Sequence, residues 1–258
     1  MEEYRNLTAF VTGGGRGIGK AISEELWSRG MSIVIGDIVY ESAEQVVKEL
    51  DPEGKRTLAL QLDVTKGKEV LRAVEQILAR FERVDVLINN AGIAPKRGTR
   101  RVTIAEIDEQ EWEHVLDVNL KGVFNCSKAV MDSMIKNKYG KIVNIASVSG
   151  FVSGISGPAG AHYNASKAGV IAFTKTLAAE LAPFGINVNA VAPAKVEGTG
   201  MSTRATQEDL EKYREELPIK RLGKMKDVAK LVAFLASDDA DYIVGETVVI
   251  DGGRLLMI

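Results

Sequence analysis

The sequence predicts a single doubly wound α/β domain, a seven-stranded parallel sheet with helices on both faces. Three observations carry that prediction. Short apolar segments alternate with helical patterns along the chain, which calls for crossovers that return on one side or the other of a parallel sheet. A glycine-rich run follows the first apolar segment. The chain has 258 residues and is 45% hydrophobic, enough for one large core, and no shift in composition marks a second domain. The domain is therefore read as 1–258.

Taken in order, Thr8–Val11 is the first strand, and Thr12-Gly13-Gly14-Gly15-Arg16-Gly17-Ile18-Gly19 leads from it into a helical stretch from Lys20 to Arg29. Ser32–Ile35 and Leu58–Leu62 follow as strands. Val70, Val74, Ile77, Leu78 and Phe81 then recur at helical spacing. Val84–Ile88 is the fourth strand, and an apolar-rich helical stretch runs from about Glu109 to Ile135. Lys141–Ile145 precedes a helix marked by Val170, Phe173, Leu177 and Leu181. Asn187–Val191 precedes one marked by Val228, Leu231, Val232 and Leu235, and Thr247–Ile250 closes the series. Two regions, Ile93–Thr103 and Ala194 to about Leu222, fit the alternation poorly. Both follow strands, where open α/β sheets bind ligands.

Composition excludes several function classes. A formal net charge of −2 gives no global attraction to nucleic acid or to an anionic membrane. The start, Met1-Glu2-Glu3-Tyr4-Arg5, has no apolar run of the signal-peptide kind, and no later stretch reaches the ~18 apolar residues of a membrane span. The single cysteine, Cys126, cannot form an internal disulfide and fits a reducing compartment. Two histidines and one cysteine do not make a structural zinc site. The expectation is a soluble cytoplasmic protein without a metal.

The chemistry concentrates in two places. Glycines between a first strand and a first helix allow a tight turn and close approach to a pyrophosphate, which the helix N-terminus favours. Asp37, eighteen residues after Gly19, ends the second strand, where a carboxylate can accept the hydroxyls of an adenine ribose. Further on, Tyr163 and Lys167 stand four residues apart, so a helix places both on one face, roughly 6 Å apart along its axis. A free tyrosine is a poor acid or base at neutral pH, and a fixed ammonium beside it favours the phenolate. His162 and His114 read as surface or packing residues, and Cys126 as a small buried hydrophobe.

From Thr8 to about Gly253 the chain resembles the short-chain dehydrogenase/reductase family. The landmarks are Thr12-Gly13-x-x-x-Gly17-Ile18-Gly19, Asp63-Val64, Asn89-Asn90-Ala91-Gly92, Asn119, Ser147, Tyr163-x-x-x-Lys167, Asn189-Ala190-Val191-Ala192-Pro193 and Asp251-Gly252-Gly253. The resemblance implies a Rossmann fold with strand order 3-2-1-4-5-6-7 and a catalytic set of Asn119, Ser147, Tyr163 and Lys167. Tyr163 would exchange a proton with the substrate oxygen as hydride moves to or from a nicotinamide. Lys167 would lower the tyrosine pKa and hold the ribose, Ser147 would hold the substrate oxygen, and Asn119 would anchor a relay water. Cofactor contacts would come from Gly13, Gly15, Arg16, Gly17, Ile18, Gly19, Asp37, Asp63, Val64, Asn90, Ala91, Gly92, Tyr163, Lys167, Pro193, Val196 and Thr199. Three departures from the usual pattern stand out. The Ser147-to-Tyr163 segment is about three residues longer, with Ser149, Ser153 and Ser156 as further candidates. Ala194 stands where glycine is usual, and the run to Thr199 is one residue longer.

Asp37 opposes a 2′-phosphate, so NAD is expected over NADP, with Arg16 the one residue that favours the phosphate. The expected reaction is oxidation of a secondary alcohol, a polyol, sugar or hydroxy acid, to its ketone. The alternatives are an NADPH-dependent 3-oxoacyl-carrier-protein reductase and, in another class, a non-catalytic NAD(P)-sensing regulator. A cap at about 197–222 would cover the substrate, and the family resemblance implies a homotetramer, which would bury the apolar surplus of the helices and of Leu255-Leu256-Met257-Ile258. Lys96, Arg97, Arg100 and Arg101, after the fourth strand, could attract an anionic substrate.

Overall fold

A computed structural model describes Tyr4 and residues 7–95, 102–152, 160–199 and 206–257. Seven parallel strands lie in the order β3-β2-β1-β4-β5-β6-β7. They are β1 (Thr8–Thr12), β2 (Ser32–Asp37), β3 (Thr57–Gln61), β4 (Val86–Asn89), β5 (Gly140–Ile145), β6 (Ile186–Pro193) and β7 (Thr247–Ile250). The helices are α1 (Gly17–Ser28), α2 (Tyr40–Leu50), α3 (Gly67–Phe81), α4 (Glu109–Leu116), α5 (Gly122–Asn137), α6 (Ala161–Leu181), α7 (Gln207–Glu216) and α8 (Met225–Leu235). This is the expected doubly wound Rossmann arrangement.

Strand alternation builds two cores. Ala9, Val11, Ile33, Ile35, Val86 and Ile88 point to one face, against Ile22 and Leu26 of α1 and Val228 and Val232 of α8. Their neighbours Phe10, Val34 and Leu87 point to the other, against Val70, Val74 and Ile77 of α3 and Val130 and Met134 of α5. Each fully buried side chain of this size contributes about 1.5–3 kcal/mol, which fixes the register: a slip by one residue would exchange the two faces. Cys126 is fully buried in the second core, as a small hydrophobe should be, and burial pushes its thiol up to about 12.

Two helical details escape a reading of periodicity. The stretch expected from Glu109 to Ile135 is interrupted by a π-helical segment, Asp117–Lys121, which holds the buried Asn119. Such bulges insert one residue into the ladder and re-aim the side chains beside it. Helix α7 opens with a reciprocal cap between Thr206 and Asp209 and carries Tyr213 onto a small satellite core that Leu217 and Leu222, beyond its end, complete.

Candidate active site

The glycine run closes as a tight turn at the C-terminal end of β1. Gly13 takes φ +63°, and a β-carbon on Gly19 would lie 2.2 Å from the Gly13 carbonyl oxygen. The turn is braced from β4: Asn90 Nδ2 donates to the Thr12 and Gly13 carbonyls at 3.0 and 2.9 Å, and the Asn90 and Ala91 N–H groups donate to Thr12 Oγ1. Asn90 therefore spends its amide on the loop. Gly17, Ile18 and Gly19 open α1, and Arg16 sits exposed at its N-cap.

Asp37 ends β2 with both carboxylate oxygens engaged, one accepting from Gly15 N–H at 3.0 Å and the other from Val39 N–H at 3.1 Å. Each oxygen retains lone pairs for further donors. Asp63, just beyond β3, accepts from the Thr65 N–H and hydroxyl at 3.0 and 2.7 Å. Burial raises its pKa, but Thr65 and Lys66 outweigh that and hold it below the usual carboxylate range. Val64 is buried, and the shortest contact a β-carbon on Gly122 would make is with its side chain.

The proton-transfer candidates meet at the C-terminal ends of β4 and β5. Ser147 follows β5, accepts from Ser149 N–H at 3.1 Å and hydrogen-bonds the Tyr163 phenol. Of the serine candidates, Ser147 is thus beside the phenol and Ser149 is buried next to it, whereas Ser153 and Ser156 lie outside the described residues. Tyr163 and Lys167 share the buried face of α6, with Lys167 Nζ 5.8 Å from the centre of the Tyr163 ring. Among the described residues Nζ has one hydrogen-bond partner, the Ile145 carbonyl at 2.7 Å, so two of its three donors are left for another acceptor. Burial pulls the Lys167 pKa down to about 8. Burial also raises the Tyr163 pKa, with Ser147 opposing it. The expected lowering of the phenol by Lys167 is not seen in the free protein: burial of the phenolate dominates, and the opposing cause is Ser147.

Asn119 locks this corner together. Its Nδ2 donates to the Ile93 carbonyl at 2.9 Å and to Ser166 Oγ at 3.0 Å, while its Oδ1 accepts from Ile93 N–H at 2.8 Å. Both amide hydrogens are used, and a water would have to reach the remaining lone pair of Oδ1. Gly92 sits between: a β-carbon there would lie 3.3 Å from Asn119 Oδ1 and 3.6 Å from Lys167 Nζ.

Beyond β6, Pro193 pairs with Ile250, Val196 bridges to Gly223, and Thr199 donates to the Val196 carbonyl at 3.1 Å. Ala194 is absent from the left-handed non-glycine residues, so the backbone there needs no glycine. Lys96, Arg97, Arg100 and Arg101 lie outside the described residues. His114 is exposed, but His162 is wholly buried against Glu111. The sequence signal for that pair was faint: a glycine where a helix cap belongs.

A short chain dehydrogenase family model matches residues 7–210. The chain belongs to the short-chain dehydrogenase/reductase family. Members are NAD(P)-dependent oxidoreductases acting on CH–OH groups, and so is this chain. It is 42% identical over 253 residues to the 3-oxoacyl-[acyl-carrier-protein] reductase FabG of Staphylococcus epidermidis, covering 97% of this chain and 100% of that one. The protein of the same name from Thermotoga maritima is 39% identical over 246 residues, covering 95% and 96%. Among solved structures, the crystal structure of gox2181 superposes with a TM-score of 0.92 at 35% identity, covering 98% of this chain and 97% of that one.

Proposed function

We propose that this chain reduces a ketone to a secondary alcohol with NADH, Tyr163 giving the proton, and that the ketone is a 3-oxoacyl thioester. The observation that carries the reading is Lys167, a buried ammonium with two donors that no described residue takes, beside a Tyr163–Ser147 pair. A nicotinamide cofactor supplies the hydride when bound. The donor set fits such a group: the glycine turn for the pyrophosphate, the Asp37 carboxylate for the adenine ribose, and Lys167 for the hydroxyls of the second ribose.

The residues divide the work. Ser147 donates to the substrate oxygen and stabilises charge developing there. Tyr163, its pKa raised by burial, stands protonated at neutral pH, which is the form ketone reduction requires of a general acid. Once the phenol has given up its proton, the Lys167 ammonium opposes the new negative charge across the ring face. Asn119 holds Ile93 and Ser166 in place around both. Arg16, Asp63, Val64, Pro193, Val196 and Thr199 would complete the cofactor cleft, and the cap expected at 197–222, of which 200–205 lie outside the described residues, would cover the substrate.

The relatives named as 3-oxoacyl-[acyl-carrier-protein] reductases support a thioester substrate over the polyol, sugar or hydroxy acid expected from the sequence. The intact proton-transfer set weighs against a non-catalytic sensor. Asp37 supports NADH over NADPH, since a 2′-phosphate about 4 Å away would meet repulsion on the order of 4 kcal/mol per unit charge. A homotetramer accords with exposed Phe124, Phe151, Leu256 and Met257. Light scattering giving the monomer mass of 27.9 kDa would exclude it.

The test is a rate panel: NADH and NADPH against 3-oxoacyl thioesters, and the oxidised cofactors against polyols, sugars and hydroxy acids. The proposal expects the NADH–thioester pair to give the highest kcat/KM. A polyol with NAD would return the substrate to the expectation from sequence, and preference for NADPH would remove Asp37 as the selector.

A further inference from the structure

Helix α6 starts at Ala161 with Gly160 before it, and glycine offers no side chain to the orphan amides of the first turn. His162 takes over that task. Its Nδ1 accepts from the backbone N–H of Tyr163 at 2.8 Å, and its Nε2 lies 2.9 Å from Glu111 Oε1 on α4. A β-carbon on Gly160 would lie 2.6 Å from His162 Cε1 and 2.9 Å from Nδ1. The glycine that removes the ordinary cap is also what makes room for the imidazole.

The contacts suit one tautomer of the neutral ring. A nitrogen that accepts an N–H bond carries no hydrogen, so the neutral ring keeps its hydrogen on Nε2, where it donates to the Glu111 carboxylate. An imidazolium would set Nδ1–H against Tyr163 N–H and lose the cap. The other backbone group of Tyr163 is held by a second side chain of α6 that is itself braced from another element. Ser166 Oγ donates to the Tyr163 carbonyl at 2.7 Å and is itself held by Asn119 Nδ2 at 3.0 Å. Tyr163 is thereby held at its amide by His162, which α4 braces, and at its carbonyl by Ser166, which the π-helical segment braces.

We propose that His162, fixed by Glu111, is a positioning residue for Tyr163, setting the place of the phenol through the tyrosine's own amide. The proposal rests on Tyr163 as the proton donor. A loss of fit by a fraction of an ångström at a proton-transfer group lowers turnover more than binding. His162→Leu should therefore lower kcat on the order of tenfold to a hundredfold, with KM for cofactor within about twofold. His162→Asn, whose amide oxygen can accept the same N–H, should recover most of it, as a merely space-filling role would not. Glu111→Gln, which keeps an acceptor, should stay near the parent, and Glu111→Leu should fall.

A spectroscopic measurement is independent of turnover. The chain has two histidines, so long-range proton–nitrogen correlation on ¹⁵N-histidine protein at neutral pH should show one ring as the Nε2–H tautomer with Nδ1 as acceptor. Glu111→Leu should disturb that signature and speed exchange of the Tyr163 amide. If His162→Leu does not fold, Glu111→Leu carries the test. A buried ring protonated on Nδ1, or unchanged kcat in both leucine variants, would overturn the proposal. A parent lacking nicotinamide-linked turnover would instead remove the proposed function, and with it the positioning role, even if the tautomer showed the cap intact.

Discussion

Lys141 and Lys167 are buried at opposite ends of β5, with 2% and 4% exposure, and their partners differ in kind. Lys141, near the start of the strand, meets Asn187 Oδ1 at 3.1 Å, Asp238 at 3.6 Å and Asp241 closer still. Lys167 reaches the carbonyl of Ile145 at the other end and meets no carboxylate among the described residues. A buried ammonium is costly unless paired. The first lysine is paired and holds β5, β6 and the segment before β7 together. The second has a carbonyl and, among the described residues, no carboxylate, at the end of the sheet where the glycine turn, Asp37 and Tyr163 lie. The difference separates a lysine that serves the fold from one that the fold carries at a cost, and it marks the site without reference to any relative.

The comparison breaks first at Tyr163. Tyr163→Phe should bind cofactor nearly as the parent does and lose turnover by about 10²–10⁴, the range of general acid catalysis. Near-parental rates would mean that Lys167 serves no proton transfer. Asp37→Ala should shift the NADH-to-NADPH affinity ratio on the order of a hundredfold toward NADPH, below the ceiling set by a full unit charge. A ratio that does not move would leave Arg16 and the glycine turn as the selectors.

Lys141→Met should behave oppositely to any change at the site. Denaturant titration should show a loss of about 2 kcal/mol, because Asn187 and the aspartates lose a charged partner, while cofactor affinity stays put. Weakened binding would show that the two ends of the sheet are coupled. The smallest effect is on pH. With the Lys167 pKa near 8, its ammonium is fully present below that value, so kcat/KM should decline as pH rises through about 8. A flat profile to pH 10 would place the titrating group elsewhere.

What sequence could reveal divides along the same line. The strands were legible because two-sided burial demands continuous apolar runs, and β1, β2 and β5 fall within two residues of their expected bounds. Tyr163, Lys167 and the glycine turn could be put on their elements because their spacing is local, though the spacing took its weight from the landmarks around it. Asn119 could be placed but not explained, since nothing in Asp117-Val118-Asn119-Leu120-Lys121 announces a π-helical turn. Asn90 was expected along the cofactor, and its bracing of the glycine turn across 77 residues of sequence was not legible. His162 was read as surface or packing because its partner, Glu111, lies 51 residues away on another helix. Spacing reports partners on one element; it is silent about partners that only the crossover brings together.

The most direct test is Lys167→Met, measured for stability and turnover in the same preparation. A lysine whose folded pKa lies near 8, below its ordinary 10.5, binds its proton more tightly when unfolded. The resulting cost is fully present below about pH 8 and fades as pH rises toward 10.5. A shift of that size corresponds to about 3 kcal/mol. The account therefore predicts that the cofactor-free methionine variant is more stable than the parent at neutral pH, by up to about 3 kcal/mol, with the gain vanishing in alkali and with turnover lost. A variant less stable than the parent, as expected for Lys141→Met, or one that still turns over, would contradict it.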